Sequence, residues 1–352
     1  GKGTIMPDNY EHYITRNIKA FYKKRLFSPI IYLLLLAILW VVLPLGNMLH
    51  PHTMEKKETL QAAYQSKDRY TRTTFHDLRF TGYTSEAYGR TRGYYYYTMH
   101  DKHCVIVLLT PRTCEEGLPS IASLTVTGRV VRGQESFQAL MASLATDLDW
   151  TESGISSQVS EYYFSEPDYH VTATTILFIV YFSTMIYAIL YILTCLVCIR
   201  FPVLSPPCQN LVVFGHPAKL LAQAEEELAT LPQLATEDMF ITEHFFIMTS
   251  PDANAVVPIQ EILWIYKHST LHKILWYHFS ISYTMHITAN KHMYVNCPKN
   301  TKSDIDGIMD YLAEANHNIL VGFSEENRLK VEAVQGKPFH IEKFYALLRR
   351  KV

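Results

Sequence analysis

Two stretches of the chain are apolar on every face. Pro29 to Leu49 runs 21 residues, and Val171 to Ile199 runs 29, without one charged side chain. Each is long enough to cross hydrocarbon as a helix, which takes about 20 apolar residues, because only a helix or a closed barrel pairs every backbone N–H and C=O there. Pro202, Pro206 and Pro207 stop the second helix from running on. The two spans cut the chain into a basic N-terminal piece (1–28), a first span (29–49), a middle segment (50–170), a second span (171–200), a linker (201–216), a domain (217–323) and a C-terminal extension with a basic amphipathic helix (324–352).

Elsewhere the pattern acquires a period. In the N-terminal piece, Tyr10, Tyr13, Ile14, Ile18 and Phe21 recur at three and four residues among Arg16, Lys19, Lys23, Lys24 and Arg25, which predicts an amphipathic basic helix lying along headgroups. Met6 is a candidate start, so residues 1–5 are left out of the fold reasoning. The basic flank predicts that this end stays cytoplasmic, which places 50–170 outside and returns everything after Arg200 to the cytoplasm of a plasma-membrane protein.

The middle segment predicts five strands, Thr74–Thr81, Gly93–Met99, Cys104–Thr110, Ser123–Val131 and Gln158–Phe164. Runs such as YYYYTM and CVIVLL are aromatic and β-branched, and Gly89, Gly93, Pro111 and Gly117 punctuate them. Phe137, Leu140, Met141, Leu144 and Leu148 fall at helical spacing, so a helix over Glu135–Asp147 precedes the last strand. Five strands with one helix suit an OB-like or other small β-rich domain.

Beyond the linker, Leu220, Leu221, Ala224, Leu228 and Leu231 predict a helix over Pro217–Leu231, with Glu225 to Glu227 on its solvated side. Strands are expected over Met239–Thr249, Ala255–Pro258, Ile262–Lys267, Trp276–Ile287 and His292–Cys297, with a hairpin turn at Ala289-Asn290. Ser303 with Asp306 resembles a capping box and opens a helix through Ile305, Ile308, Met309 and Leu312. The whole is an α+β membrane protein whose meander strands and closing helix have a PH-like layout.

Composition changes this picture little. A formal net charge of -1 gives no general attraction to nucleic acid. No GxSxG, P-loop, HExxH or dinucleotide glycine run is present, so no enzyme, cofactor or catalytic residue is expected. Cys104 and Cys114 are the two cysteines of the middle segment; they are a candidate disulfide in an oxidising compartment, with a reduced, packed Cys104 as the alternative. His268, His272 and His278 fall in strand and turn with no Cys or acid cluster to complete a site, so no metal is expected. The first loop of the C-terminal domain, SPDANAVV, lacks the bases that would read several lipid phosphates. Trp264, Tyr266, Lys267, His268, Lys273 and Trp276 form the candidate partner-binding patch: Trp264 and Tyr266 share a strand face, and Lys267 and His268 lead into a turn carrying His272 and Lys273. Core packing of both tryptophans is the competing reading.

The stretches EEELATLPQLATEDMFITEHFFIMTS, VVPIQEILWIYK and NHNILVGFS, with LRFTGY and GYYYYTM in the middle segment, resemble an uncharacterised family of two-pass bacterial membrane proteins with an outer β-rich domain and a bacterial PH-like cytoplasmic domain. The resemblance implies architecture and carries no catalytic motif. The function expected is a non-enzymatic membrane-anchored adaptor or sensor that links an outer ligand-binding domain to a cytoplasmic interaction domain. An accessory subunit of a transporter or secretion complex is the alternative. The partners expected are the bilayer and a protein, with a homo-oligomer as one form of the latter.

Overall fold

A computed structural model describes residues 11–100, 103–147, 159–274 and 278–336. The chain divides into two compact units, residues 31–188 and residues 1–30 with 189–352. Both apolar stretches are helical. The first begins as α1 (Tyr13–Arg25), passes through Leu26 into α2 (Phe27–Val42) and breaks at Pro44, after which a short α3 (Leu45–Leu49) follows. The expected first span, 29–49, is therefore interrupted by its proline. Tyr13–Val42 and, later, Val171–Arg200 are each 30 residues, about 45 Å at helical rise, and are apolar enough to cross a membrane by length and composition. A signal sequence near an N-terminus has the same character.

The first unit is a β-barrel. After β1 (His52–Thr53) and α4 (Leu60–Gln65) come β2 (Tyr70–Ala87), β3 (Arg90–His100), β4 (His103–Leu109), β5 (Ser120–Arg132), α5 (Glu135–Asp147) and β6 (Tyr162–Ser165). The sheet order is β1-β2-β3-β4-β6-β5, and β5 also pairs with β2, so five strands close on themselves. Tyr88 and Gly89, both at positive φ, form the two-residue turn between β2 and β3 that matches strand twist. Along β2 the buried positions run Thr71, Thr73, Phe75 and then Leu78; the phase switches at Asp77, whose φ is 52°.

Inside the barrel lie Phe75, Leu78, Tyr96, Val107, Leu109, Cys114, Val130 and Phe164. The outer face of β4 is covered as well: Cys104 and Ile106 pack with Phe137, Leu140 and Leu144 of α5. Burial on both faces explains why CVIVLL reads as an unbroken apolar run rather than an alternating one. Gly128 is required by close approach, since a Cβ there would lie 2.7 Å from Phe164 Cε1 and 2.7 Å from the Ser165 carbonyl.

The second unit begins with α1 and resumes after α6 (Val171–Arg200). The short α7 (Pro206–Gln209) and the helix α8 (Pro217–Thr230) lead into a meander sheet in the order β10-β9-β8-β7, made of β7 (Leu234–Ala235), β8 (Met239–Ile241), β9 (Phe245–Thr249) and β10 (Asn254–Pro258). A second sheet, ordered β13-β12-β11-β14, holds β11 (Ile262–Ile274), β12 (His278–Ala289), β13 (Met293–Asn300) and β14 (Leu320–Val321). Between the sheets Ile241, Phe246, Met248, Val257, Ile265, Met285, Ile287 and Cys297 form a core with Ile305, Ile308 and Leu312 of α9 (Lys302–Ala315). That helix is capped by Thr301, whose hydroxyl accepts from the Asp304 N–H, two residues earlier than the expected Ser303 start. The last described helix is α10 (Glu325–Gln335); the remainder of the expected C-terminal helix lies outside the described residues.

The first sheet is buried on its other face too. Phe240, Phe245, Ile247 and Val256 pack against Leu221, Ala224 and Leu228 of α8 and against Ile14 and Ile18 of α1. The apolar face of the N-terminal helix is thus spent on protein, a correction to its expected place among headgroups. Each of these isoleucines, buried to 1% exposure or less, contributes about 1.5–3 kcal/mol.

Glu225 fixes the docking. Its Oε1 accepts from the Thr15 N–H at 2.7 Å and the Thr15 hydroxyl at 2.8 Å, and its Oε2 accepts from the Ile14 N–H at 3.4 Å. His12, at the N-cap position of α1, provides no side-chain cap. A carboxylate from another helix therefore satisfies the first-turn donors and meets the positive end of the helix dipole.

Candidate functional site

The six patch residues expected from the sequence fall on or beside β11, but the strand runs further than expected. It continues through His268, His272 and Lys273 to Ile274, which pairs with His278 of β12. There is no turn at 268–273; the connection is 275–277, so Trp276 lies outside the described residues. Lys273 is placed by its backbone, opposite Phe279.

Strand alternation then sorts the remaining four. Trp264, Tyr266 and His268 share the outward face, while Lys267 lies on the opposite side and its Nζ donates to Asp306 Oδ1 of α9 at 2.7 Å. The lysine expected to rim the aromatics is an ion-pair partner of the closing helix. Trp264 is 7% exposed and its indole N–H donates to the Gly322 carbonyl at 2.8 Å, so it is an anchor for the loop after β14 rather than an open platform. Tyr266 is half-buried between Trp264 at 4.5 Å and His286 at 4.8 Å, ring centroid to ring centroid. His268 is exposed, 6.1 Å from His286.

Two members of this face were not singled out in the sequence. His286 is the cross-strand partner of Tyr266 on β12, and Phe323, 70% exposed, stacks at 17° on Trp264 and lies 5.2 Å from Tyr266. Phe323 follows Gly322, which at φ 92° turns the chain back over the tryptophan. The FS pair in NHNILVGFS was the available signal. Burial holds the His286 imidazole below the usual histidine range, opposed in part by its hydrogen bond to Asn296 Oδ1 at 2.6 Å. Burial raises the Tyr266 phenol. The result is a packed aromatic ridge, Phe323–Trp264–Tyr266–His286, with Phe323 and His268 as its accessible ends.

The candidate disulfide is not formed. Cys104 and Cys114 are free thiols, and they occupy separate cores: Cys104 lies under α5 outside the barrel, Cys114 inside it with Sγ 3.2 Å from the Thr110 carbonyl. Burial pushes both thiols up. Cys195, Cys198 and Cys208 are also buried free thiols.

Among the described residues, the metal-capable trio Glu227, Glu243 and His244 brings one ligand atom from each within 4.8 Å of the others. Glu227 Oε1 is already 2.7 Å from His244 Nδ1 and accepts the His244 N–H at 2.9 Å, a helix-to-hairpin tie between α8 and the β8–β9 turn, while its Oε2 is buried without a hydrogen-bond partner among the described residues. Glu225 and Glu227, expected to be solvated, are thus both structural.

Residues 214–329 match a family described as a domain of unknown function (DUF6709). No curated protein matches the chain, and no solved structure does. The matched region runs from just before α8 into α10, and leaves out the barrel, both long apolar helices and α1.

Proposed function

We propose that the chain is a non-enzymatic, membrane-anchored adaptor or sensor that joins an outer β-domain to a cytoplasmic interaction domain. The observation that carries this reading is the docking of α1 through Glu225 and Ile18. The segment before the first apolar helix and the domain after the second are one body, which fits two crossings with both flanks on one side. A cleaved signal sequence would remove Ile14 and Ile18 from the core they complete, which favours a retained anchor. Lys23, Lys24 and Arg25 before α2 favour the cytoplasm for that side, and a plasma membrane for the location.

Architecture supports the rest of the proposal. The closed five-stranded barrel with its helix before the last strand suits the OB-like reading, and the two sheets closed by α9 suit the PH-like one. Both are scaffolds that carry binding sites more often than any single chemistry. Phe323 and His268, the open ends of the aromatic ridge, are where a protein partner would be met, since aromatic side chains dominate contact energy.

Reporter fusions test the topology. A fusion after Arg350 should read as cytoplasmic and one near Gly117 as external; an external C-terminus removes the proposal. Crosslinking in intact membranes, then isolation in mild detergent, tests the role. Partners from both compartments on one chain support an adaptor, whereas recovery inside one large multi-span complex supports an accessory subunit.

A further inference from the structure

We infer that the free end of the β11–β12 ribbon is a lipid-contacting element that meets the anionic surface of the bilayer in which the chain is anchored. The pairing of β13 with β12 ends at Tyr283 and Asn300, and β14 touches β11 only at Trp264 and Ile265. From Ser269 to Ile274 and from His278 to Ser282 the two strands therefore have no third strand on either side among the described residues. Six residues of strand give the ribbon a reach of about 20 Å. A two-stranded hairpin standing in water is marginally stable by itself, so a ribbon of this length gains from a second surface.

Its side chains say which surface. Leu271 and Ile281 are cross-strand partners, 60% and 57% exposed, so the ribbon presents an apolar pair where a soluble hairpin would carry polar residues. Along the ribbon itself the charge has one sign. From Ser269 to Ser282 the sequence holds Lys273, His272 and His278 and not one Asp or Glu, in a chain that has 33 acids in 352 residues. At its base Lys267 is paired with Asp306 and Lys299 with Asp252, while Lys302, two residues past the Asn300 that pairs with Tyr283, is exposed without an ion pair among the described residues. An apolar pair within an acid-free, basic region matches a headgroup boundary, where apolar area and cationic charge act together. A second copy of the chain fits less well, because it would bring the same positive region against itself.

The inference rests on the membrane-anchored reading, and one experiment separates the two. Single cysteines are placed by Leu271→Cys on the ribbon, Leu34→Cys in the first apolar helix and Glu314→Cys on α9. Each full-length chain carries an environment-sensitive fluorophore in nanodiscs of phosphatidylcholine and phosphatidylglycerol, with nitroxide lipids as quencher. The six native cysteines are buried, and the unsubstituted chain supplies the background. Quenching at 271 several-fold above that at 314, weakened when phosphatidylglycerol is left out, is the expected result. Quenching at 34 with none at 271 overturns the lipid contact and leaves the anchor standing. No quenching at either site overturns both. A disulfide crosslink between two copies of the unlabelled Leu271→Cys chain, with no quenching in the labelled one, overturns the lipid contact and assigns the ribbon to self-association instead.

Discussion

The barrel and the C-terminal domain solve the same problem with different reach along the chain. Each has strands buried on both faces, and each needs a helical layer to cover the second face. In the barrel the cover is α5, which starts three residues after β5 ends and packs Phe137, Leu140 and Leu144 over Cys104 and Ile106. In the C-terminal domain part of the cover is α1, and the hydrogen bond that seats it joins residues 210 positions apart. A locally supplied layer makes the barrel self-contained. A layer supplied from before the first apolar helix ties the folding of the second domain to the placement of the membrane-length segments between them.

The sharpest way to break that contrast is to empty the distant layer. Ile18→Ala should cost about 2–5 kcal/mol, the usual range for truncating a fully buried isoleucine. Hydrogen exchange read by mass spectrometry should then rise over α1, α8 and β8–β10 and stay unchanged over β2–β6. Equal loosening of both units would show that the barrel also depends on α1. The converse probe is Gly128→Ala, whose methyl group would press on Phe164 and on backbone at Ser165. It should destabilise the barrel by about 1–3 kcal/mol and leave α1 and its neighbours protected.

Much of this division was legible in the sequence because it depends on local pattern. The two apolar helices, the α5 span Glu135–Asp147 and the unbroken CVIVLL run follow from periodicity and composition alone. The candidate site was less legible. Lys267 and Trp264 lie within two residues of Tyr266 in sequence, but alternation sends Lys267 to Asp306, and Gly322 draws Trp264 under cover. The strand was expected to end at Lys267, with a turn carrying His272 and Lys273; in a two-stranded ribbon with no third strand among the described residues, burial imposes no alternation, and the strand simply continues. Glu225 looked solvated because its partner, the first turn of α1, is 210 residues away. Cys104 and Cys114 lie ten positions apart, yet strand alternation puts one outside the barrel wall while the loop returns the other inside.

The cap is a finer test of the same comparison. Glu225→Ala removes the acceptor for the Thr15 donors and the charge at the helix start, and should cost about 1–2 kcal/mol. Glu225→Gln keeps an acceptor oxygen and should recover part of it. If both variants melt like the unsubstituted protein in detergent, apolar packing alone seats α1. Thiol labelling supplies a reading on the barrel side: under native, non-reducing conditions Cys104 and Cys114 should be protected by burial, and after unfolding without reductant both should label at once. Failure to label until reductant is added would restore the bridge.

The smallest expected effect is a pH dependence confined to the C-terminal domain. Burial holds the His286 imidazole below its ordinary value near 6.5, so the folded domain keeps the ring neutral while the unfolded chain would take up a proton. The sign follows: above about pH 6.5 neither state is protonated and nothing is lost, and as pH falls from there towards the folded value the unfolded state binds more protons and stability declines. Local exchange protection over β11–β13 should therefore weaken between neutral pH and about pH 5, beyond any change in β2–β6. In a His286→Gln chain, which has a side-chain amide to offer Asn296 and no proton to gain, that slope should flatten. A slope that persists in the variant would move the titration to another group on the domain.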